Sequence, residues 1–265
     1  MPSDKYTQRQ VRYASGGIDV NALLFEPAGG VEGAPAVVHH PSHKSPAKHY
    51  EWYLGKFAEA GYVGLGIEQR GYGSGPSGEN DRGGPLQQGD IANGITFLSG
   101  LPSVDAGRIA VSGHSNGAAL ALIVSSRDER VKACLSLAPK TDWVKALRGA
   151  REWKPDFYEL TVREMTGGIP PEVDPRPFVE RSPIHYAKDI KVPVLFIVGA
   201  QDWVNPSYHC TDMADALERA GNRDVSVEII DEVEHFFCRR HFLGYRFDAV
   251  TGPALRWLDR HVKEA

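Results

Sequence analysis

Short apolar runs separated by longer amphipathic stretches recur along this chain. The first two runs, at 6–14 and 18–26, flank Gly16-Gly17. In them Val11, Tyr13, Val20, Ala22, Leu24 and Phe25 supply the apolar character. Two such runs about a glycine pair predict an antiparallel hairpin at a sheet edge. Further on, 34–39, 131–137 and 192–198 read as short buried strands, and 62–67, 109–111 and 225–230 as further strands. Helical patterns at 50–60, 86–98, 118–124, 207–220 and 247–262 fall between or after them. The glycine- and charge-rich stretch 75–85 reads as a surface loop. Strands alternating with helices predict an α/β fold, a mostly parallel twisted sheet with helices on both faces.

The alternation breaks once. Between the strands at 131–137 and 192–198, at about residues 139–190, lies an insertion holding Trp143, Trp153, Phe157, Tyr158 and Met165. Pro170-Pro171, Pro175 and Pro177 divide it, so two or three short helices are expected. Such an insertion belongs over the carboxyl ends of the strands, where open α/β sheets bind ligands. It reads as a small helical cap, with Trp143, Trp153, Phe157 and Tyr158 as candidate walls of a substrate pocket. Arg148, Arg151 and Lys154 read as a solvated helix face, with recognition of an anionic substrate group as the alternative.

The sharpest chemical signal is residues 108–122, RIAVSGHSNGAALAL. A short apolar run leads into Gly113-His114-Ser115-Asn116-Gly117, and good helix formers follow. A G-x-S-x-G turn between strand and helix strains the serine and exposes its hydroxyl beside a helix N-terminus. Ser115 is therefore the candidate nucleophile. A serine hydroxyl needs an adjacent base, and the base an orienting acid. Asp202 stands just past the apolar run 192–198, and His235 just past 225–230. Asp202 would orient His235, and His235 would take the Ser115 proton. Asp142 is a rival acid and His241 a rival base. An oxyanion hole needs two N–H donors. Asn116, next to the nucleophile, is one. Pro41 has no N–H, so Ser42 is the choice for the second. His39, His40, His43 and His49 crowd the same region without a recognised ligand spacing, and neither a metal nor a cofactor is expected.

Composition adds bounds. The chain has 265 residues, 42% hydrophobic and 24% charged, enough for a core within one domain over 1–265. A net charge of -4 with no basic patch argues against a nucleic-acid partner. Cys134, Cys210 and Cys238 are scattered and odd in number, unlike a disulfide framework. The N-terminus has no apolar core of a secretory signal, and no run approaches the roughly 20 residues that span a bilayer. The expectation is a cytoplasmic protein acting on a small molecule, with a homodimer left open.

Several of these stretches resemble the α/β-hydrolase superfamily. Within it they are most similar to the catalytic domain of the prolyl oligopeptidase and dienelactone hydrolase-like group. The likeness is carried by His40-Pro41-Ser42, Arg70-Gly71-Tyr72-Gly73, Gly107-Arg108-Ile109 and Gly113-His114-Ser115-Asn116-Gly117. Ser182-Pro183, Val192-Pro193-Val194-Leu195 and Gly199-Ala200-Gln201-Asp202 followed by His235 extend it. It covers most of residues 15–262 and is weakest in the cap. The resemblance implies a serine hydrolase with Ser115, Asp202 and His235 as its triad. Two departures stand out. Pro41 replaces a glycine of the oxyanion loop, and Ser115 stands where dienelactone hydrolases carry cysteine. The length also leaves no room for the N-terminal propeller that restricts prolyl oligopeptidases to short peptides. The combined expectation is cleavage of a small to medium carboxylic ester through an acyl-enzyme. An amide or short-peptide substrate is the alternative within this chemistry, and a non-catalytic binding module the alternative outside it.

Overall fold

The computed structural model describes residues 4–72, 75, 78–238 and 244–264. The hairpin forms as expected: β1 (Tyr6–Ser15) and β2 (Ile18–Pro27) pair antiparallel from Tyr6↔Pro27 to Ser15↔Ile18. The remaining described strands are β3 (Ala34–His40), β4 (Val63–Ile67), β5 (Val104–His114), β6 (Val131–Leu137), β7 (Val194–Gly199) and β8 (Val225–Ile230). They make one eight-stranded sheet in the order β1-β2-β4-β3-β5-β6-β7-β8. Pairing is antiparallel as far as β4 and parallel from there to β8. β3, β4 and β7 are buried throughout, which is why their sequences lack alternation. β5 starts earlier than its apolar run suggests. Asp105-Ala106-Gly107-Arg108 interrupts the apolar pattern, and a register shift against β3 accommodates it after Val104 pairs with Ala34.

The helices are α1 (Glu51–Glu59), α2 (Pro85–Ser99), α3 (Asn116–Ser125), α4 (Trp143–Trp153), α5 (Pro155–Thr166), α6 (Arg176–Glu180), α7 (Tyr208–Arg219) and α8 (Phe247–Leu258). A 3-10 turn over Ala47–Tyr50 precedes α1, which begins at Glu51 rather than at Tyr50. α3 is buried on every side, so its sequence is apolar all round. The 75–85 stretch departs from a surface loop. Arg82, Gly83 and Gly84 turn inward and are buried, and a Cβ at Gly83 would lie 2.8 Å from the Asn116 side-chain oxygen. Gly73 lies outside the described residues. Arg70 is locked by a buried ion pair with Asp90 of α2, its Nε 2.7 Å from Oδ2.

The insertion between β6 and β7 is helical, as α4, α5, α6 and a 3-10 stretch over Pro183–Asp189. Asp142 starts α4 by accepting from the Lys145 N–H at 2.9 Å. Trp143, Leu147, Val162, Met165 and Phe178 form a small core of the cap's own. Glu164 of α5 ties the cap down to loops at the sheet's carboxyl edge. It accepts from Lys44 Nζ at 2.8 Å, lies 3.3 Å from His43 Nε2 and pairs with Arg82. The three cysteines are buried and unpaired. No helix among the described residues is long and apolar enough to cross a membrane.

Candidate active site

The chemistry-bearing loops all leave the carboxyl ends of parallel strands. Ser115 ends β5 and opens α3 with φ 56° and ψ −113°, a region non-glycine residues avoid. The turn is held from several sides. The Ser115 N–H donates to the Leu137 carbonyl at 2.8 Å. A Cβ on Gly117 would sit 2.1 Å from the His40 carbonyl oxygen, so only glycine lets the loop after β3 lie against the turn. The loops after β7 and β8 are pressed together in the same way: a Cβ on Gly199 would meet the Val233 carbonyl oxygen at 2.1 Å.

Those two loops carry Asp202 and His235. Asp202 Oδ2 accepts from His235 Nδ1 at 2.7 Å. Its Oδ1 accepts from the Val204 and Asn205 N–H groups at 2.9 and 2.8 Å. Three bonds fix the carboxylate. A carboxylate accepts, so Nδ1 carries the proton and Nε2 keeps its lone pair. Asp142 is spent on capping α4, and His241 lies outside the described residues.

Asn205 had no sequence signal beyond its place three residues after Asp202. Its Nδ2 donates to the Ala138 carbonyl at 2.8 Å and reaches Ser115 Oγ at 3.4 Å. Asn116 is the first residue of α3, so its N–H has no acceptor within the helix. Ser42 differs from expectation. Its N–H is not free, because it donates to the Tyr50 hydroxyl at 3.1 Å. Tyr50 in turn lies 2.8 Å from His114 Nδ1, and His114 Nε2 lies 2.8 Å from the His235 carbonyl. A carbonyl only accepts, so Nε2 carries the His114 proton, and burial holds that ring neutral, well below its ordinary pKa. The Tyr50 hydroxyl must then donate to Nδ1. One chain of bonds thus joins the oxyanion-side loop, the residue before Ser115 and the backbone of His235. Tyr50→Phe should leave the Ser42 N–H and His114 Nδ1 buried without partners, lowering stability by about 1–3 kcal/mol in urea unfolding. A change within about 0.5 kcal/mol would mean that this chain of bonds carries no weight.

The other histidines have local partners. His39 Nδ1 faces Ser112 Oγ at 3.1 Å, His40 Nδ1 its neighbour's carbonyl at 2.9 Å, and His49 Nδ1 Ser45 Oγ at 3.1 Å. His43 Nε2 lies 2.8 Å from Arg82 Nη1. Burial pulls His39 and His43 down to about 3 and His40 to about 4, so all three are neutral at pH 7. Among the described residues no three metal-ligating side chains converge.

The four cap aromatics separate. Trp143 sits in the cap's core. The Tyr158 hydroxyl donates to Glu172 at 2.9 Å. Trp153, 84% exposed, and Phe157 line a cavity with Trp203, Val204 and Lys140. Lys140 is buried, and desolvation pushes its pKa down to about 7 against the pull of Asp202. A second cavity of about 550 Å³ lies on the other side, walled by Ser42, Tyr50, Trp52, His114 and Phe236.

Fold and site together define an α/β-hydrolase of the serine-hydrolase type. The chain belongs to the prolyl oligopeptidase family, which it matches over residues 48–265. Among solved structures it is similar to the acylaminoacyl peptidase of Pyrococcus horikoshii, at 22% identity and a TM-score of 0.80, over 98% of this chain and 42% of that one. It is also similar to an acetyl xylan esterase from Paenibacillus sp. R4, at 20% identity and a TM-score of 0.78, over 98% of this chain and 86% of that one. Both likenesses are of fold. A 108-residue stretch, 40% of the chain, is 35% identical to the thiohydrolase apmlB of Arthrinium phaeospermum and spans 35% of that protein. The matched regions thus cover less than half of the peptidase and of the thiohydrolase.

Proposed function

We propose that this protein cleaves a small to medium carboxylic ester through an acyl-enzyme, with Ser115 as nucleophile, His235 as base and Asp202 as its orienting acid. The observation that carries this is the Asp202–His235 pair at 2.7 Å, on the same sheet edge as a serine held at φ 56°. His235 Nε2 takes the Ser115 proton as Oγ bonds to the carbonyl carbon. The oxyanion draws on the Asn116 N–H, and on Ser42 by sharing the N–H that now meets Tyr50. Collapse breaks the bond to the alcohol oxygen, which leaves with the proton from His235. Water then repeats the cycle and releases the acid. Ester is favoured over amide because an alkoxide leaves more readily than an amine anion. The similarity to an acetyl xylan esterase, which covers most of both chains, agrees with that choice. The acylaminoacyl peptidase likeness keeps an amide as the second reading.

A fluorophosphonate probe tests the proposal. Intact mass should show one adduct per chain, and peptide mapping should place it on Ser115. Folded protein that takes no adduct would instead be a binding module.

A further inference from the structure

A cavity of about 330 Å³ opens between α4 and the loop after β7. Lys140, Lys154, Phe157, Trp203 and Val204 help to line it. One residue links it to the candidate nucleophile: Val204 and Pro206 line it, and Asn205 between them reaches Ser115 Oγ at 3.4 Å. Two ammonium groups face aromatic walls there. Lys140 Nζ lies 5.4 Å from the Trp143 ring centre and 5.6 Å from that of Phe157, and Lys154 Nζ lies 4.7 Å from that of Trp203. Each ammonium donates to a backbone carbonyl, Lys140 to Val204 at 3.3 Å and Lys154 to Trp203 at 3.2 Å. Among the described residues neither has a carboxylate at ion-pair distance. Asp202 acts on Lys140 from farther off, with both its oxygens already bonded to Val204, Asn205 and His235. Several other cations of the cap and its loops are matched, Lys145 by Asp212, Arg151 by Glu172, and Lys44 and Arg82 by Glu164. Burial without a counter-charge leaves Lys140 only partly protonated at neutral pH, and an anion that enters beside it holds the charged form.

We propose that this cavity is a carboxylate subsite, and that the substrate is an ester bearing a carboxylate, on an aromatic or apolar spacer, away from the scissile bond. This rests on the reading of Ser115 as the nucleophile only in calling the ligand a substrate. Lys140 supplies the buried charge, Lys154 the charge at the mouth, and the rings hold the spacer.

The test has two arms. Calorimetry compares benzoate with the neutral benzamide on wild type, Lys140→Met and Lys154→Met. Benzoate should bind wild type roughly ten- to a hundredfold more tightly than benzamide, as a charge-assisted bond implies. Lys140→Met should erase most of that ratio, and the exposed Lys154→Met part of it. The second arm compares kcat/KM for 4-acetoxybenzoate with its methyl ester, and for monophenyl adipate with methyl phenyl adipate. These pairs place the anion on the leaving group or on the acyl chain. Wild type should favour the anion in at least one pair, and Lys140→Met should lower that preference by roughly tenfold or more. A ratio cancels any general loss of activity. Equal affinity for benzoate and benzamide overturns the proposal, as does a preference that survives both substitutions. So does an equal slowing of charged and neutral esters by Lys140→Met, which would mean that Lys140 acts through Asp202. If benzoate selectivity depends on Lys140 but no ester turns over and Ser115 takes no adduct, the anion site stands and the hydrolase reading fails.

Discussion

Ser115→Ala should abolish turnover, with kcat lower by on the order of a millionfold, while the folded protein stays as stable as the parent. The two halves of this expectation have separate grounds. Loss of the hydroxyl removes the atom that bonds to the carbonyl carbon, and no neighbour can replace it. Asn205 is the side chain that bonds to Oγ, at 3.4 Å, and an amide nitrogen is no nucleophile. Stability rests elsewhere in the turn. The Ser115 N–H to Leu137 bond and the helix-starting bonds to the Ser115 carbonyl are all backbone, and the side chain makes no capping bond. Alanine takes φ 56° at the same strain as serine, so the expected change in unfolding free energy is within about 0.5 kcal/mol. Steady-state kinetics on a good nitrophenyl ester and a urea titration of the same preparation measure both. Turnover within tenfold of the parent, in protein free of carried-over wild type, would remove Ser115 from the mechanism.

What could be read beforehand follows from how locally each feature is encoded. Gly113-His114-Ser115-Asn116-Gly117 announces itself because a strand must turn into a helix within a few residues, and glycine is needed where backbone meets backbone. The hairpin at Gly16-Gly17 and the fully apolar strands are equally local. Asp202 and His235 are legible as candidates because each stands just past the end of a strand-like run. Tyr50 is different. It is separated from His114 by 64 positions, and a hydroxyl that accepts from Ser42 while donating to a histidine has no pattern in sequence. Nor does Lys140: a lysine after a strand reads as solvated until a cap folds over it. The 82–84 segment reads as a surface loop for a related reason. Its glycines look like loop chemistry, whereas Gly83 allows close approach to Asn116 and Gly84 to Arg181 and Asp81. Among the cap aromatics, composition did not separate Trp143, which fills the cap's core, from Trp153 and Phe157, which face a cavity.

Asp202→Asn should cost about ten-thousandfold in kcat, and the bonding around the carboxylate shows why. An amide has one acceptor oxygen where the carboxylate has two. The Val204 and Asn205 N–H groups both point at one oxygen, at 2.9 and 2.8 Å, and must keep an acceptor. The new oxygen therefore stays with them, and the NH2 group turns to His235. Nδ1 then has to accept, which moves the ring proton to Nε2, where the lone pair is needed for Ser115. The ring keeps its place and has the wrong tautomer. Asp142→Asn is the matched control. Asp142 serves as the N-cap of α4, a position that asparagine fills almost as well, so activity should stay close to the parent's and stability should fall by no more than a few tenths of a kcal/mol. Both variants are to be compared by kcat/KM on one ester, with circular dichroism to show that each is folded. If Asp142→Asn proves the more damaging, the acid is Asp142, and the Asp202–His235 contact serves only to hold two loops together.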